Sequence, residues 1–524
     1  MSKVLLVVLP YLLQRGELPS SKLRSFKAFP YGILSMATYA KRKTNHDIRI
    51  FDCNLDSGEY YLDILKKEIA EFKPDIVGLS MMFDNSYKHV PDIAAAAKEI
   101  NHRSLVLMGG AATVPSYEKI MNEQANVDAI CFSEGELPLA ALLGSNRKND
   151  ILESHPSWIT RKSISENIKP QKTLVHNLDD VIDIDYSMID VAEYKMREAF
   201  SPFSGNIENK KQFFIVSSRG CPFKCVFCMR SADDDKSMRY ASVDRLISHV
   251  EDLVNNYGMN VLTFYDDQIL LNKPRAKQLF RELARFKLRV ECPNGVSVAF
   301  IDDEMAELMR KAGMDTVNLA IESGAPHVLN DIIHKPLKLP MVKPVVDSLR
   351  RNGFWIHGFF VSGIPGENDD HRDETVQFIK SVGLDWSGFS LAVPSRGSEL
   401  HRICMENGYI PKEMGVDDLD ANKYIISTPE YKPEWVIKKT YRMNLDVNFV
   451  HNHRMVMGDY ETSARAFADV IQRTPGHAFA HFYRAIALEK LGKDSSEDAK
   501  AFNDIIDEDE SWKNYADYFH IGRI

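Results

Sequence analysis

Cys221, Cys225 and Cys228 fall within eight residues, inside the run from Ser217 to Arg230. Thiolates this close together bind a soft metal centre. A spacing of four and then three lets one short loop wrap an iron–sulfur cluster, yet it supplies three ligands where such clusters ordinarily take four. One iron is left open. An open position is where a substrate or cofactor coordinates, as in catalytic rather than structural metal sites. Two blander readings remain: a zinc knuckle, which wants a fourth Cys or His nearby, and a chance cluster of buried thiols. A disulfide is disfavoured because nothing else in the chain looks secreted.

The loop needs a scaffold, and an apolar run at 213–216 leads into it as a buried strand. From there to about residue 400, further strand candidates at 261–265, 289–297, 316–321, 355–361 and 387–393 alternate with helical patterns. Six strands and six helices predict an open partial (β/α)6 barrel over 211–400, with its site at the carboxyl ends of the strands. Asp266 and Asp267 end the second strand, Glu322 and Ser323 the fourth, Gly363 lies just past the fifth, and Val393 closes the sixth. The acids have structural alternatives: one of the paired carboxylates caps the next helix, and Glu322 is a surface acid before a glycine turn. Arg239 reads either as a partner for a ligand carboxylate or as an exposed cation.

Residues 1–145 show the same alternation, with strand candidates at 4–9, 47–51, 76–80, 105–108 and 129–132. This predicts a Rossmann-like α/β domain with a parallel sheet. Ligands of such sheets bind at the strand ends, here the loops beginning at Ser80, at Gly109 and Gly110, and at Ser133. Paired glycines admit a ligand close to backbone, although a plain tight turn uses them too. Residues 146–210 read as a polar linker and 401–454 as a mixed extension. Residues 455–524 are helical, with Gly458-Asp459-Tyr460 and Gly492-Lys493-Asp494 set 34 residues apart in a tetratricopeptide-like (TPR-like) repeat. That region is either a partner-binding or substrate-covering module or a helical cap on the barrel.

Composition bounds the rest. At 524 residues the chain holds two or three domains. A balance of 65 basic against 74 acidic residues, net −9, argues against a nucleic-acid or anionic-membrane surface. Seven cysteines, four of them scattered, fit a reducing compartment. The apolar run at 4–13 is too short to span a bilayer and contains Pro10, so a first strand is the better reading. A cytoplasmic protein without a membrane span is expected.

The Cys-x3-Cys-x2-Cys pattern, with Phe227 just before its last cysteine, resembles the signature of radical S-adenosylmethionine (SAM) enzymes. The stretches Phe29 to Leu34, Asp75 to Ser80, Leu107 to Gly110 and Ser133 to Glu136 are similar to the cobalamin-binding domain that precedes one large class of them. This resemblance covers residues 1 to about 410. It implies a [4Fe-4S] cluster on the three cysteines, with SAM at the open iron. It places Asp266 and Asp267 by the SAM amino group, Glu322 and Ser323 by the ribose and methionine part, and Gly363 by the adenine. It also implies cobalamin against the first domain's strand ends, beside Tyr31, Ser80, Met82, Phe83, Gly109, Gly110, Glu134, Gly135 and Glu136. The Asp-x-His-x-x-Gly motif that offers cobalt a histidine is absent. His46 and His89 read as surface residues, and the 81–87 loop is the expected neighbour of the cobalt.

The reaction implied is reductive cleavage of SAM to a 5′-deoxyadenosyl radical, hydrogen abstraction from an unactivated carbon of a small-molecule or natural-product substrate, and methyl transfer from methylcobalamin. A reducing partner such as flavodoxin or ferredoxin goes with it. Two rivals stand beside it: cyclisation, rearrangement or oxidation without methylation, and a non-enzymatic, metal-stabilised interaction protein.

Overall fold

The computed structural model of the chain describes residues 1–11, 27–55, 61–194, 207, 209–231, 236–419 and 423–524. Strands β1 (Lys3–Val8), β2 (Asp47–Asp52), β3 (Ile76–Ser80), β4 (Leu105–Gly109) and β5 (Ala129–Cys131) run parallel, and β6 (Trp158–Ile159) adds to β5 antiparallel. The order is β2-β1-β3-β4-β5-β6. From Val4 to Val8, β1 is buried on both faces, which is why it reads as an unbroken apolar run. Its Val4, Leu6 and Val8 pack against Ile33, Ala37 and Leu139 of the helices Tyr31–Lys43 and Glu136–Gly144. Leu5 and Val7 join the opposite core, under the helices Tyr61–Phe72 and Val90–Ile100. Connections diverge on either side of β1, and the crevice beyond the strand ends at such a switch point is where this sheet type takes ligands.

The stretch expected to be a polar linker is a packed strap. It contributes β6, and its Val175, Leu178, Val181, Ile182, Ile184 and Tyr186 are buried in the core of the following domain. Its acids make turns. Asn177 accepts from the Asp179 N–H (3.2 Å), Asp185 from that of Ser187 (3.1 Å) and Asp190 from that of Ala192 (3.0 Å), one Asx-type turn after another.

Strand β7 (Gln212–Ile215) leads to a two-strand antiparallel ladder, β8 (Ser218–Arg219) with β9 (Arg239–Tyr240), that closes the base of the cysteine loop. β7 pairs with β10 (Val261–Phe264), which pairs with β11 (Arg289–Glu291); β12 (Thr316–Glu322), β13 (Trp355–Ser362) and β14 (Trp386–Leu391) follow in order. A single parallel bridge, Val296 to Leu319, joins the two triplets into the expected six-stranded open barrel. The third strand is shorter than expected because Pro293 and Gly295, the latter at φ +85°, turn the chain after Glu291.

The C-terminal helices Tyr460–Arg473, Ala478–Lys490, Ser496–Glu508 and Glu510–Tyr518 stack in sequence and close against the barrel. Phe449 lies 5.4 Å from Trp386 of β14 and stacks on Phe467 at 5.6 Å. Arg454 forks onto the fully buried Asp385 at 2.6 and 2.9 Å. These contacts are those of a cap. Among the described residues no helix is long and apolar enough to cross a membrane.

Candidate active site

The cysteine loop is tied down at its start and again between its second and third cysteines. Asp266, at the end of β10, is buried, and its carboxylate accepts from the Ser217 N–H (3.0 Å), the Ser217 Oγ (2.7 Å) and the Ser218 Oγ (2.5 Å). Burial pushes this carboxyl above its ordinary range, against the pull of those hydrogen bonds and the Arg275 guanidinium. Arg275 itself donates to the carbonyls of Ser217 and Ala241, both at 3.0 Å. Farther along the loop, the Val226 N–H donates to the Ile333 carbonyl (3.0 Å) and the Val226 carbonyl accepts from the Leu400 N–H (2.9 Å). Phe227 packs beside Val226, Ile364 and Tyr424. The three thiols of this loop are free and half-buried. Burial pushes the Cys225 thiol up to about 11; Lys335 pulls it down, while Glu322, Cys228 and Cys221 add to the rise. Among the described residues no three His, Cys, Asp or Glu side chains are gathered as for a single metal ion. His249, downstream of the loop, is buried on the helix Val243–Tyr257, facing Arg42 and Arg245, and burial pushes its imidazole down to about 4.

Glu322 is buried, not a surface acid. It sits at φ +74° beside a register shift in β12 and holds Lys335 at 3.0 Å. A left-handed glutamate costs about 1–3 kcal/mol and persists where its surroundings impose it. Ser323 spends its hydroxyl on the Ala325 N–H (3.2 Å) and on Thr375 (3.3 Å). Gly363, at φ +86°, donates its N–H to Glu367 (2.6 Å), and its carbonyl accepts from the hydroxyls of Tyr424 (2.7 Å) and Tyr431 (3.3 Å). A Cβ there would lie 2.7 Å from the Tyr424 oxygen. Val393 is half-buried, and its carbonyl accepts from the Ser395 N–H in the turn after β14.

Opposite the loop lies a cavity of about 440 Å³ shared by the two domains. Tyr31, Ser80, Met82, Gly109, Gly110, Glu134, Gly135 and Glu136 line it from the first domain; Val216, Ser218, Arg219, Gly220, Arg230, Tyr265 and Asp267 line it from the second. It burrows beneath the strand ends to Leu6, Ile76, Leu107, Leu139 and Trp158. Gly110, at φ +107°, is held to glycine by the chain's own packing on this wall: a Cβ would lie 2.3 Å from the Met81 carbonyl oxygen. Phe83 is not part of the lining; it is exposed, with its ring 5.3 Å from Tyr11. Of the two adjacent aspartates, Asp267 faces the cavity, 3.9 Å from Arg230, and Asp266 does not.

Glu134 and Glu136 are engaged across the domain boundary. Arg239 donates to Glu134 at 2.9 and 2.6 Å, and Arg219 reaches Glu136 at 2.7 Å and Glu134 at 3.1 Å. Arg239 is therefore neither an exposed cation nor available to a ligand carboxylate. Its arginine partners hold the Glu134 carboxyl below its ordinary value despite burial, which alone would raise it. Tyr31 makes a further link, its hydroxyl accepting from the Val216 N–H at 3.3 Å. The histidines differ from expectation. His89 is buried, its Nδ1 2.8 Å from the Tyr61 hydroxyl, and half-buried His46 bridges Ser2 (2.8 Å) and the Leu143 carbonyl (2.9 Å).

Sequence reasoning missed Lys335 and Arg219 as site residues. Arg219 had one signal, its place two residues before Cys221; Lys335 had none local to it. The donor sets fit two groups. Three free thiols on an anchored loop suit an iron–sulfur cluster one protein ligand short, and an apolar burrow with a glycine cradle suits a large planar cofactor at the strand ends.

Residues 215–379 match the model of the radical SAM superfamily and residues 24–143 that of the B12 binding domain. An uncharacterized methyltransferase of Pyrococcus horikoshii is 29% identical, with 73% of this chain and 79% of that protein aligned. Cytidylyl-2-hydroxyethylphosphonate methyltransferase of Streptomyces wedmorensis is 26% identical over 85% of this chain and 90% of that protein. In fold, the chain is similar to the radical SAM methyltransferase TsrM of Kitasatospora setae (TM-score 0.59, 16% identity, 78% and 77% of the two chains). It is also similar to the cobalamin-dependent SAM radical enzyme OxsB with aqua-cobalamin bound (TM-score 0.60, 13% identity, 99% and 72%).

Proposed function

We propose, for a chain that belongs to the cobalamin-dependent radical SAM enzymes, that it transfers a methyl group to an unactivated carbon of a small-molecule substrate. The observation that carries this reading is the single cavity wall shared by the strand ends of the first domain and the root of the cysteine loop. When bound, the cluster, SAM and cobalamin supply the electron, the carbon-centred radical and the methyl group. The chain's own residues do the rest. Cys221, Cys225 and Cys228 hold the cluster, and Asp266 keeps their loop in register with β10. Lys335, paired with Glu322, sets a buried positive charge beside the thiols. Gly363, its carbonyl held by Tyr424 and Tyr431, fixes the turn past the fifth strand, where the adenine would lie. Gly109, Gly110 and Gly135 admit the corrinoid, with Ser80 and Met82 on the rim. The substrate stands between the two cofactors, where Arg230, Asp267 and Tyr265 face the cavity.

A reducing partner of the flavodoxin or ferredoxin type, a cytoplasmic setting and a protein partner for the C-terminal helices belong to the same reading. The test is direct. Protein purified without oxygen and reconstituted with iron, sulfide and hydroxocobalamin forms 5′-deoxyadenosine from SAM under reduction. Cys225→Ala abolishes that product while leaving the first domain folded. Wild-type protein that holds iron yet leaves SAM intact contradicts the proposal.

A further inference from the structure

We infer that Arg219 couples the two cofactor sites, so that filling the cavity and chelating the cluster favour one another. Arg219 and Arg239 are register partners on the two-residue ladder β8–β9, the strands from which the cysteine loop springs. Like charges directly opposite one another on a ladder repel, so this hairpin needs outside anions. Among the described residues it finds them in the other domain. Arg239 is matched bidentately to Glu134 and also donates to the Val175 carbonyl at 2.6 Å. Arg219 spreads its guanidinium over Glu136 (2.7 Å), Glu134 (3.1 Å) and the Ser35 hydroxyl (3.3 Å).

These acceptors are part of the cavity. Glu134, Gly135 and Glu136 form its wall, and Gly135 is pressed so closely on the helix Tyr31–Lys43 that a Cβ would meet the Met36 sulfur at 2.4 Å. Ser35 is on that same helix and also donates to Glu136 at 2.7 Å. The Arg219 and Glu136 side chains are 16% and 5% exposed, so the pair is held at low dielectric, where its geometry is stiff and a lone member is costly. Gly220 and Cys221 follow Arg219 without a residue between. A ligand that packs against the Glu134–Glu136 wall therefore fixes the acceptors of Arg219, and through it the first ligand of the loop. Ordering of either site lowers the cost of ordering the other.

Such coupling is reciprocal: the factor by which the cluster tightens corrinoid binding equals the factor by which corrinoid tightens cluster binding. Couplings of this kind span roughly 5-fold to 150-fold, and two fixed, buried ion pairs place this one at about tenfold or more. The inference rests on the reading that the cavity takes a corrinoid, and the experiment separates the two.

Full-length protein, with and without its reconstituted cluster, is titrated anaerobically with hydroxocobalamin. Quenching of Trp158, which lines the cavity, and the corrinoid absorbance report the Kd. In parallel, loss of iron to a chelator is timed with and without saturating hydroxocobalamin. The expected result is a Kd about tenfold lower with the cluster and a matching slowing of iron loss by corrinoid. In the charge-balanced double variant R219Q/E136Q, which leaves no lone buried charge, the ratio of the two Kd values falls to near one, while Arg219→Lys, with charge but no fork, lies between. A wild-type ratio of one, or an undiminished ratio in the double variant, overturns the coupling. No hydroxocobalamin binding by the wild type in either state removes the reading beneath it.

Discussion

Asp266→Ala tests whether the cysteine loop owes its shape to a carboxylate that touches none of the cysteines. The substitution removes the acceptor of one fixed backbone N–H and two serine hydroxyls, all buried, and takes one of two nearby anions from Arg275, which keeps Asp179. Hydrogen bonds to a charged group contribute about 1.5–3 kcal/mol each. The hydroxyls can turn elsewhere and the Ser217 N–H cannot. Counting the N–H, which has no other acceptor to turn to, gives a loss of about 3 kcal/mol. Asp266→Asn keeps one acceptor for the N–H, and its amide can donate to a serine oxygen, so it loses about 1–2 kcal/mol. For a domain of this size the alanine variant should melt about 10 °C lower, the asparagine variant only a few degrees. The assay pairs thermal unfolding by circular dichroism with iron per chain after anaerobic reconstitution. We expect iron to fall sharply in the alanine variant and modestly in the asparagine one. An alanine variant that melts within about 2 °C of wild type and holds its full iron would refute the strapping role.

Gly110→Ala, at a φ only glycine tolerates and against backbone, should lose corrinoid binding in an absorbance titration. Gly135→Ala, opposed only by the flexible Met36 side chain, should weaken it less. Lys335→Met leaves Glu322 unpaired and the Cys225 thiol higher than about 11, so iron uptake at neutral pH should slow and recover as pH is raised; the charge-balanced K335M/E322Q pair should fold better than Lys335→Met alone by thermal melting. Asp84 lies between Arg396 and Asp417, and burial pushes its carboxyl up to about 6. Its folded form holds the proton more tightly than the unfolded one, so through this group stability falls as pH rises from about 4 to about 6 and then levels. The shift from 3.8 to about 6 is worth about 3 kcal/mol, reduced to about 2 by partial exposure. Asp84→Asn should therefore gain melting temperature over wild type across that window and keep the gain above it.

How much of this was legible in the sequence follows from which interactions are local. Buried parallel strands announce themselves as apolar runs, so β1 to β5 and every barrel strand but the third were placed to within a few residues, and the three cysteines carry their chemistry in their spacing. The linker was misjudged because acids that make Asx turns look the same in sequence as acids that face water, although Ile182, Ile184 and Tyr186 between them are buried. His89 was misjudged because its partner, Tyr61, lies 28 residues away. The Glu134 and Glu136 carboxylates were placed at the cofactor, and the structure gives them arginines 83 and 105 residues distant. No periodicity reports such pairs. The adjacent Asp266 and Asp267 show the same limit: the pattern marked both, and only the fold tells which one straps the loop and which one faces the cavity.

The central claim is a cluster one protein ligand short, open toward a corrinoid held in the same chamber. Electron paramagnetic resonance of the reduced, oxygen-protected full-length protein, recorded with and without SAM, tests it most directly. The account predicts a [4Fe-4S]+ signal that shifts when SAM is added, in protein that also retains corrinoid. A cluster signal indifferent to SAM, or zinc in place of iron, would contradict it.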